Sequence, residues 1–116
     1  MLIPDEVKIY LYTLPTDMRK SIDTLCVMVS EVLQMNPADG HLFLFRSRSG
    51  NKLKALYYET NSFTLWYRRL EKGKFVFPKN ALGSIEMSRS HFKWLLASDK
   101  YSRMDAMKPS EYENYY

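Results

Sequence analysis

Basic side chains are concentrated in one stretch of this 116-residue sequence, between residues 46 and 79. That window holds nine lysines and arginines but only two acidic residues, Glu59 and Glu71, so its net charge is +7 while the whole chain carries +4. Lysine and arginine neutralise phosphates, and each such contact releases counterions into solution. The window therefore predicts a surface for a polyanion such as nucleic acid.

Arg19 and Lys20, two of the three cations that precede the window, complete the set of candidate phosphate-binding residues. Arg19 and Lys20 fall in the first turn of a predicted helix, where free backbone N–H groups and two cations suit a phosphate. In the alternative interpretation, Asp17 or Asp23 only offsets cations that oppose the helix dipole there. The candidates are Arg19, Lys20, Arg46, Arg48, Lys52, Lys54, Arg68, Arg69, Lys72 and Lys74.

Aromatic residues are interleaved with these cations and have two interpretations. Tyr57, Tyr58, Trp66 and Tyr67 could stack on the bases of a single strand, which is worth about 1–3 kcal/mol per base. The favoured interpretation is that they form the core and that the charges are a rim around it.

Catalytic chemistry has few candidate residues. The acidic residues are scattered, whereas metal-dependent strand cleavage needs carboxylates that converge on the ions. His41 and His91 lack partners at zinc-ligand spacing, so a hydrogen bond near a strand start is the expected role of His41. Cys26 lies on an apolar stripe, which favours a core residue over a nucleophile. We predict a non-enzyme without a metal or other cofactor, and a metal-dependent nuclease is a weak third hypothesis.

The elements that must position the cations predict an α+β fold: an antiparallel meander sheet of four to five short strands with two flanking helices. A strand is predicted over residues 7–12 and a short one over 85–87. Between them, apolar runs at residues 42–45, 53–58, 63–67 and 75–77 alternate with turn signals at 49–51, 60–62 and 72–74.

The two helices follow from apolar spacing and capping residues. The first is expected to begin after Thr16 or Asp17 and to end before Pro37, with one broad apolar stripe that Val27 and Met28 widen. The second is expected to begin after Ser88 as its N-cap.

Side-chain alternation along the strands predicts where the cations meet. Lys52 and Lys54 share one face of their strand. We expect the preceding hairpin to bring Arg46 and Arg48 beside them, so that the charges gather at one end of the hairpins.

Length and composition predict one α+β domain over residues 1–98 and a polar, tyrosine-rich tail over residues 99–116. The single cysteine, the absence of a signal-like N-terminus and the lack of a long apolar run favour a cytoplasmic protein with no membrane partner. The oligomeric state is left open.

Four motifs, in this order and near this spacing, resemble a bacterial transposon family over about residues 5–98. They are residues 17–20 (DMRK), 40–46 (GHLFLFR), 56–58 (LYY) and 66–78 (WYRRLEKGKFVFP). The family is the second-open-reading-frame (Orf2-like, TnpB) accessory protein of the insertion-sequence-sixty-six family, which is distinct from the larger nucleases that share the TnpB name. Ser21 stands where members often have glycine, and the segment after Ser98 has no counterpart in the resemblance.

The resemblance implies a small protein that is encoded beside a DDE-type transposase and a second small protein and is needed for efficient transposition. The resemblance implies no catalytic residues in this sequence. The first hypothesis is therefore an accessory protein that binds DNA phosphates at transposon ends without catalysis. The alternative is a protein–protein adaptor that docks on the transposase without contacting DNA, and the second accessory protein is a further possible partner.

Overall fold

The chain forms five strands and two helices along residues 3–78 and 83–97, the part that the computed structural model describes. In chain order they are β1 (Ile9–Tyr12), α1 (Ile22–Glu31), β2 (Leu42–Arg46), β3 (Lys52–Glu59), β4 (Ser62–Arg69), β5 (Ser84–Met87) and α2 (Arg89–Leu96). The α+β class and the two helices were predicted and are confirmed. The predicted tail over residues 99–116 lies outside the described residues.

The sheet is mixed, with the strand order β4-β3-β2-β1-β5. Strands β2, β3 and β4 form the predicted antiparallel meander, but β1 pairs with β2 in parallel, with Ile9 opposite Leu42. A parallel pair needs a crossover of about a dozen residues or more, and the chain supplies one through α1. The prediction of a purely antiparallel sheet is therefore wrong in this one pairing.

The predicted strand over residues 75–77 is also wrong, because this segment makes no strand pairing. It instead crosses the end of the sheet, where the Phe75 N–H donates to the Gly50 carbonyl at 2.8 Å and the Phe75 ring is buried. The predicted fifth strand is confirmed as β5, which pairs antiparallel with β1 at the opposite edge from β4.

Each face of the sheet is covered by one helix and carries its own apolar cluster. On the face under α2, Phe92 and Leu95 pack with side chains from β1, β2 and β3 and with Phe75. On the face under α1, Leu25 and Val29 pack against Phe43, Phe45 and Leu56. Burying each of these large side chains is worth about 1.5–3 kcal/mol, so the strands are held from both sides.

Helix α1 is shorter and less buried than the sequence predicted. It begins at Ile22 after Ser21, which is an N-cap without a side-chain bond, and it ends at Glu31. Val27 is 52% exposed, so it lies outside the buried stripe. The second helix agrees with its prediction, because the Ser88 hydroxyl accepts a hydrogen bond from the His91 N–H at 3.1 Å.

Candidate nucleic-acid interface

The topology of the meander brings three basic segments to one end of the sheet. The end of β2, the start of β3 and the end of β4 lie side by side, because Arg46 is opposite Leu53 and Lys52 is opposite Arg69. We name this region the basic end. It contains Arg46, Arg48, Lys52, Lys54, Arg68, Arg69, Lys72 and Lys74, with Glu71 as its one acidic residue.

The segment after β4 folds back onto the turn between β2 and β3, and this adds Lys72 and Lys74 to the basic end. The Leu70 N–H donates to the Asn51 carbonyl at 2.8 Å, close to the bond between Phe75 and Gly50. The Lys74 stem lies against Gly50, whose φ of +80° is one that L side chains rarely adopt. Glycine therefore permits the backbone conformation of this turn, and the Lys74 segment packs on the turn.

The cations of the basic end are divided between the two faces of the sheet. Arg46 and Arg68 lie on the α2 face, whereas Lys52, Lys54 and Arg69 lie on the α1 face, because neighbouring positions on a strand alternate. The expectation that Arg46 would lie beside Lys54 is therefore wrong. The register places Leu53 opposite Arg46 and Phe45 opposite Lys54.

Lys54 is used to hold the connection that leads into α1. Its Nζ donates to the Met18 and Lys20 carbonyls, each at 2.7 Å, and lies 5.7 Å from the centre of the Tyr67 ring. These bonds attach the helix entry to β3. Sequence reasoning missed this role, because Lys54 and its acceptors are more than 30 residues apart.

Arg46 is similarly committed on the α2 face. Its Nε donates to the Thr13 carbonyl at 2.8 Å and its Nη1 to the Ser47 carbonyl at 3.3 Å. The guanidinium carbon lies 5.8 Å from the centre of the Phe77 ring, which is cation–π geometry. The guanidinium plane is thus held in place while its Nη2 makes no hydrogen bond to the described residues.

Arg19 and Lys20 precede the first helix and do not lie in its first turn, because the helix begins only at Ile22. Arg19 pairs with Asp17 through Nε and Nη2, the shortest contact being 2.7 Å. This pairing, together with the Arg19 N–H, holds the pKa of Asp17 well below its usual range. The geometry matches the interpretation in which Asp17 offsets the cation.

The remaining cations have no such internal role. Arg69 makes an exposed ion pair with Glu71 at 3.3 Å, a type that contributes little. Six more candidate side chains have no ion-pair or hydrogen-bond partner among the described residues. They are Lys20, Arg48, Lys52, Arg68, Lys72 and Lys74.

A groove of about 410 Å³ opens at the basic end and joins cations to aromatic rings. We name it the basic groove; its walls include Leu14, Arg46, Arg48, Lys74 and Phe77. Sequence reasoning missed it, because its sides come from three separate segments that only folding brings together.

The aromatic candidates are placed mainly at the other end of the sheet. Tyr57, Tyr58 and Trp66 line a second groove of about 320 Å³ with Glu59, and we name it the aromatic groove. Tyr57 and Trp66 also pack against the core under α2, as the favoured interpretation predicted. Only Tyr67, which is 48% exposed, accompanies the cations.

His41 and Cys26 have structural surroundings. His41 Nδ1 accepts a hydrogen bond from the Lys8 N–H at 3.0 Å and joins the starts of β1 and β2. Burial, with a smaller effect of Asp23, raises the pKa of the Cys26 thiol, which disfavours the reactive thiolate. Among the described residues, no three His, Cys, Asp or Glu side chains are grouped so that they could hold a metal ion.

A search of residues 3–78 and 83–97 for a membrane-crossing helix finds none with the required length and apolar character.

Comparisons of the sequence with known proteins find a family that it matches. The family profile described as "IS66 Orf2 like protein" matches residues 7–106, so the match continues beyond Ser98, where the sequence resemblance ended. The Sinorhizobium fredii protein named "Uncharacterized protein y4hO" is 40% identical over 91 residues, which is 78% of this chain and 79% of that protein. "Uncharacterized protein y4jC" from the same organism is 31% identical over 98 residues, or 84% of each chain. No solved structure matches the chain.

Proposed function

The chain belongs to the IS66 Orf2-like family of transposition-associated accessory proteins, and on that premise we propose that it binds DNA phosphates through the basic end without catalysing a reaction. The DNA at the transposon ends is the expected ligand. The protein contributes positive charge and a fixed shape, while strand cleavage and joining belong to the separate transposase.

The observation that carries this proposal is the group of unpartnered cations at one end of the sheet. Arg48, Lys52, Arg68, Lys72 and Lys74 keep their charge available, because no described carboxylate is paired with them. Contacts from such side chains to phosphates position a protein on DNA without reading its sequence. We therefore propose binding with little sequence preference.

Fluorescence anisotropy with a labelled duplex of the transposon end tests the proposal. Affinity should fall steeply between 50 and 200 mM salt, because about five phosphate contacts imply a slope near −4.5 in log K against log salt. A scrambled duplex of equal length is the control and should bind with similar affinity. Absence of binding at low salt would overturn the proposal.

The adaptor role is a second candidate, and exposed apolar side chains favour it. Leu14 and Val32 are 46% and 55% exposed and line one cavity together with Leu33, so they lie close enough to form an apolar patch of the kind that a partner covers. Co-purification with the transposase after nuclease treatment tests this role. A complex that survives the nuclease favours the adaptor, whereas a complex lost with the DNA favours phosphate binding.

The proposed lack of catalysis has its own test. Full-length protein is incubated with supercoiled plasmid and Mg²⁺, with EDTA as the control. We expect the plasmid to stay supercoiled, and Mg²⁺-dependent nicking would revive the nuclease hypothesis.

A further inference from the structure

We propose that the basic groove holds one unpaired nucleotide of a DNA strand, with the base against the Arg46 guanidinium and Leu14 and the phosphate bound by Arg48 and Lys74. This inference rests on the proposed function and deepens it, because it assigns the groove within the binding surface to DNA that is unpaired.

The size and lining of the groove suit a single nucleotide. Its volume of about 410 Å³ lies at the small end of the range for sites that enclose small molecules. A base inside a duplex is stacked and paired, so it reaches such a recess only when it is unpaired or turned out of the helix. The recess therefore selects for an unpaired end or a frayed position.

Arg46 supplies a rigid plane on which a base can stack. Thr13 and Ser47 hold the guanidinium through their carbonyls, and the Phe77 ring lies against it at 5.8 Å. Proteins that recognise unpaired bases use aromatic rings and guanidinium planes in this way. Because the plane is already ordered, stacking does not require Arg46 to lose further rotamer freedom.

Charge at the mouth of the groove completes the site. Arg48 and Lys74 both line it, are exposed and have no described ion-pair partner, so they remain available for a phosphate. Leu14, which is 46% exposed, adds an apolar edge for the base.

Two other cavities that the described residues form lack this combination. The aromatic groove carries Glu59 and no cation, which disfavours a nucleic-acid phosphate. A third cavity, between the α1 end and β5, is lined by neutral side chains such as Tyr12 and Gln34. Of these three cavities, the basic groove is the one that offers both a stacking plane and a positive mouth.

Binding of labelled dT12 and of a 12-base-pair blunt duplex by the full chain tests the proposal. Arg46→Lys keeps the charge but removes the plane, so affinity for dT12 should fall about five- to tenfold while duplex affinity changes less than twofold. Arg19→Lys is the matched control, because this arginine lies outside the basic end and pairs with Asp17, and it should change neither affinity. Equal losses on both probes for Arg46→Lys would overturn the proposal.

A second pair of variants avoids Arg46, whose replacement could disturb the fold. Leu14→Glu places a negative charge at the groove mouth, whereas Val27→Glu makes the same change on α1. We expect Leu14→Glu to weaken dT12 binding about tenfold and Val27→Glu to weaken it less than twofold. Similar effects of the two variants on dT12 affinity would overturn the proposal that the groove binds an unpaired nucleotide.

The outcomes separate the groove from the function on which it rests. If the protein binds the duplex in a salt-dependent way but Leu14→Glu leaves the affinity for dT12 unchanged, only the nucleotide site in the groove is rejected. Failure of the unmodified protein to bind either probe at low salt removes the proposed function as well.

Discussion

The two ends of the sheet use their cations differently. At the end opposite the basic end, Lys8 pairs with Glu86 at 3.9 Å, and Arg89 donates to the carbonyls of Ile3, Pro4 and Val7. Arg89 is engaged within the fold there, whereas Lys8 makes only an exposed ion pair of the kind that Arg69 makes. The neighbourhood also holds Asp5, Glu6, Asp39 and Glu59.

At the basic end only part of the positive charge is engaged in this way. Arg46 and Lys54 bond to carbonyls as Arg89 does, whereas Arg48, Lys52 and Lys74 have no described partner. The comparison shows that a count of cations overestimates the charge that is available to a ligand. What counts is the remainder after the fold has satisfied its own carbonyls and carboxylates.

The strongest test of this distinction compares two lysines on the same face of β3. Lys54→Met should lower the free energy of unfolding by about 2–3 kcal/mol, because the Met18 and Lys20 carbonyls lose a charged donor. Lys52→Met should change it by about 0.5 kcal/mol or less. Urea unfolding followed by circular dichroism measures both, and equal midpoints would contradict the structural role of Lys54.

The next test reverses the charge of two cations at the basic end and, as a control, of two cations outside it. Arg48→Glu with Lys74→Glu should weaken duplex binding about tenfold or more and reduce the salt slope by about 2, because two phosphate contacts are lost. The control, Lys8→Glu with Lys93→Glu, changes two exposed lysines before β1 and on α2. It makes the same change in net charge and should cost less than about threefold. Equal losses would mean that net charge, and not the basic end, governs binding.

A smaller effect is expected at the opposite end, where His41 links β1 to β2. His41→Leu removes the acceptor for the Lys8 N–H and should cost about 1 kcal/mol of stability with no change in DNA affinity. His41→Asn keeps an acceptor near the position of Nδ1 and should recover most of that loss. A DNA-binding defect in a folded His41→Leu protein would contradict the division between the two ends.

The smallest effect concerns Asp17, which engages Arg19 at the protein surface. The pKa of Asp17 is lowered by folding, so its contribution to stability is present above the ordinary aspartate pKa of about 3.9 and disappears as the pH falls below it. The difference in urea midpoint between the unmodified protein and Asp17→Asn should be constant from pH 7 to 5 and should shrink below about pH 4. A difference that grows on acidification would contradict the ion pair.

The hairpin turn between β3 and β4 and the cap of α2 were features that local signals predicted well. The turn expected at residues 60–62 is a two-residue hairpin at Thr60 and Asn61, where φ is +49° and +57°. Ser88 caps α2 as expected. These features depend on a few neighbouring residues, so the local sequence is sufficient to predict them.

The first helix shows why other local signals were misleading. Thr16 or Asp17 was expected as the helix cap, but the N-cap is Ser21. The Asp17 carboxylate instead accepts the Arg19 N–H at 2.9 Å, which makes a turn before the helix. Residues 18–20 then remain outside the helix, where Lys54 bonds to two of their carbonyls. A bond from a strand 34 or more residues away competes with helix formation, and no local pattern records it.

Strand pairing and the placement of charges also depended on distant partners. A helix lies between the strand at residues 7–12 and the next strand, and such a connection is itself a signal that the two strands pair in parallel. The antiparallel pattern of the later hairpins obscured this signal. The segment at residues 75–77 has strand-like residues, yet it covers the end of the sheet because burying Phe75 there removes apolar surface from water.

The sequence by itself determined the amount of positive charge and the stretch of chain that carries it, because charge is a sum over residues and needs no geometry. Tertiary structure alone decided which cations remain free, since Lys54 and Arg46 find their carbonyl acceptors more than 30 positions away. It also decided that Arg46, Arg48 and Lys74 surround one groove, because that depends on the strand register and on the segment that folds back over Gly50.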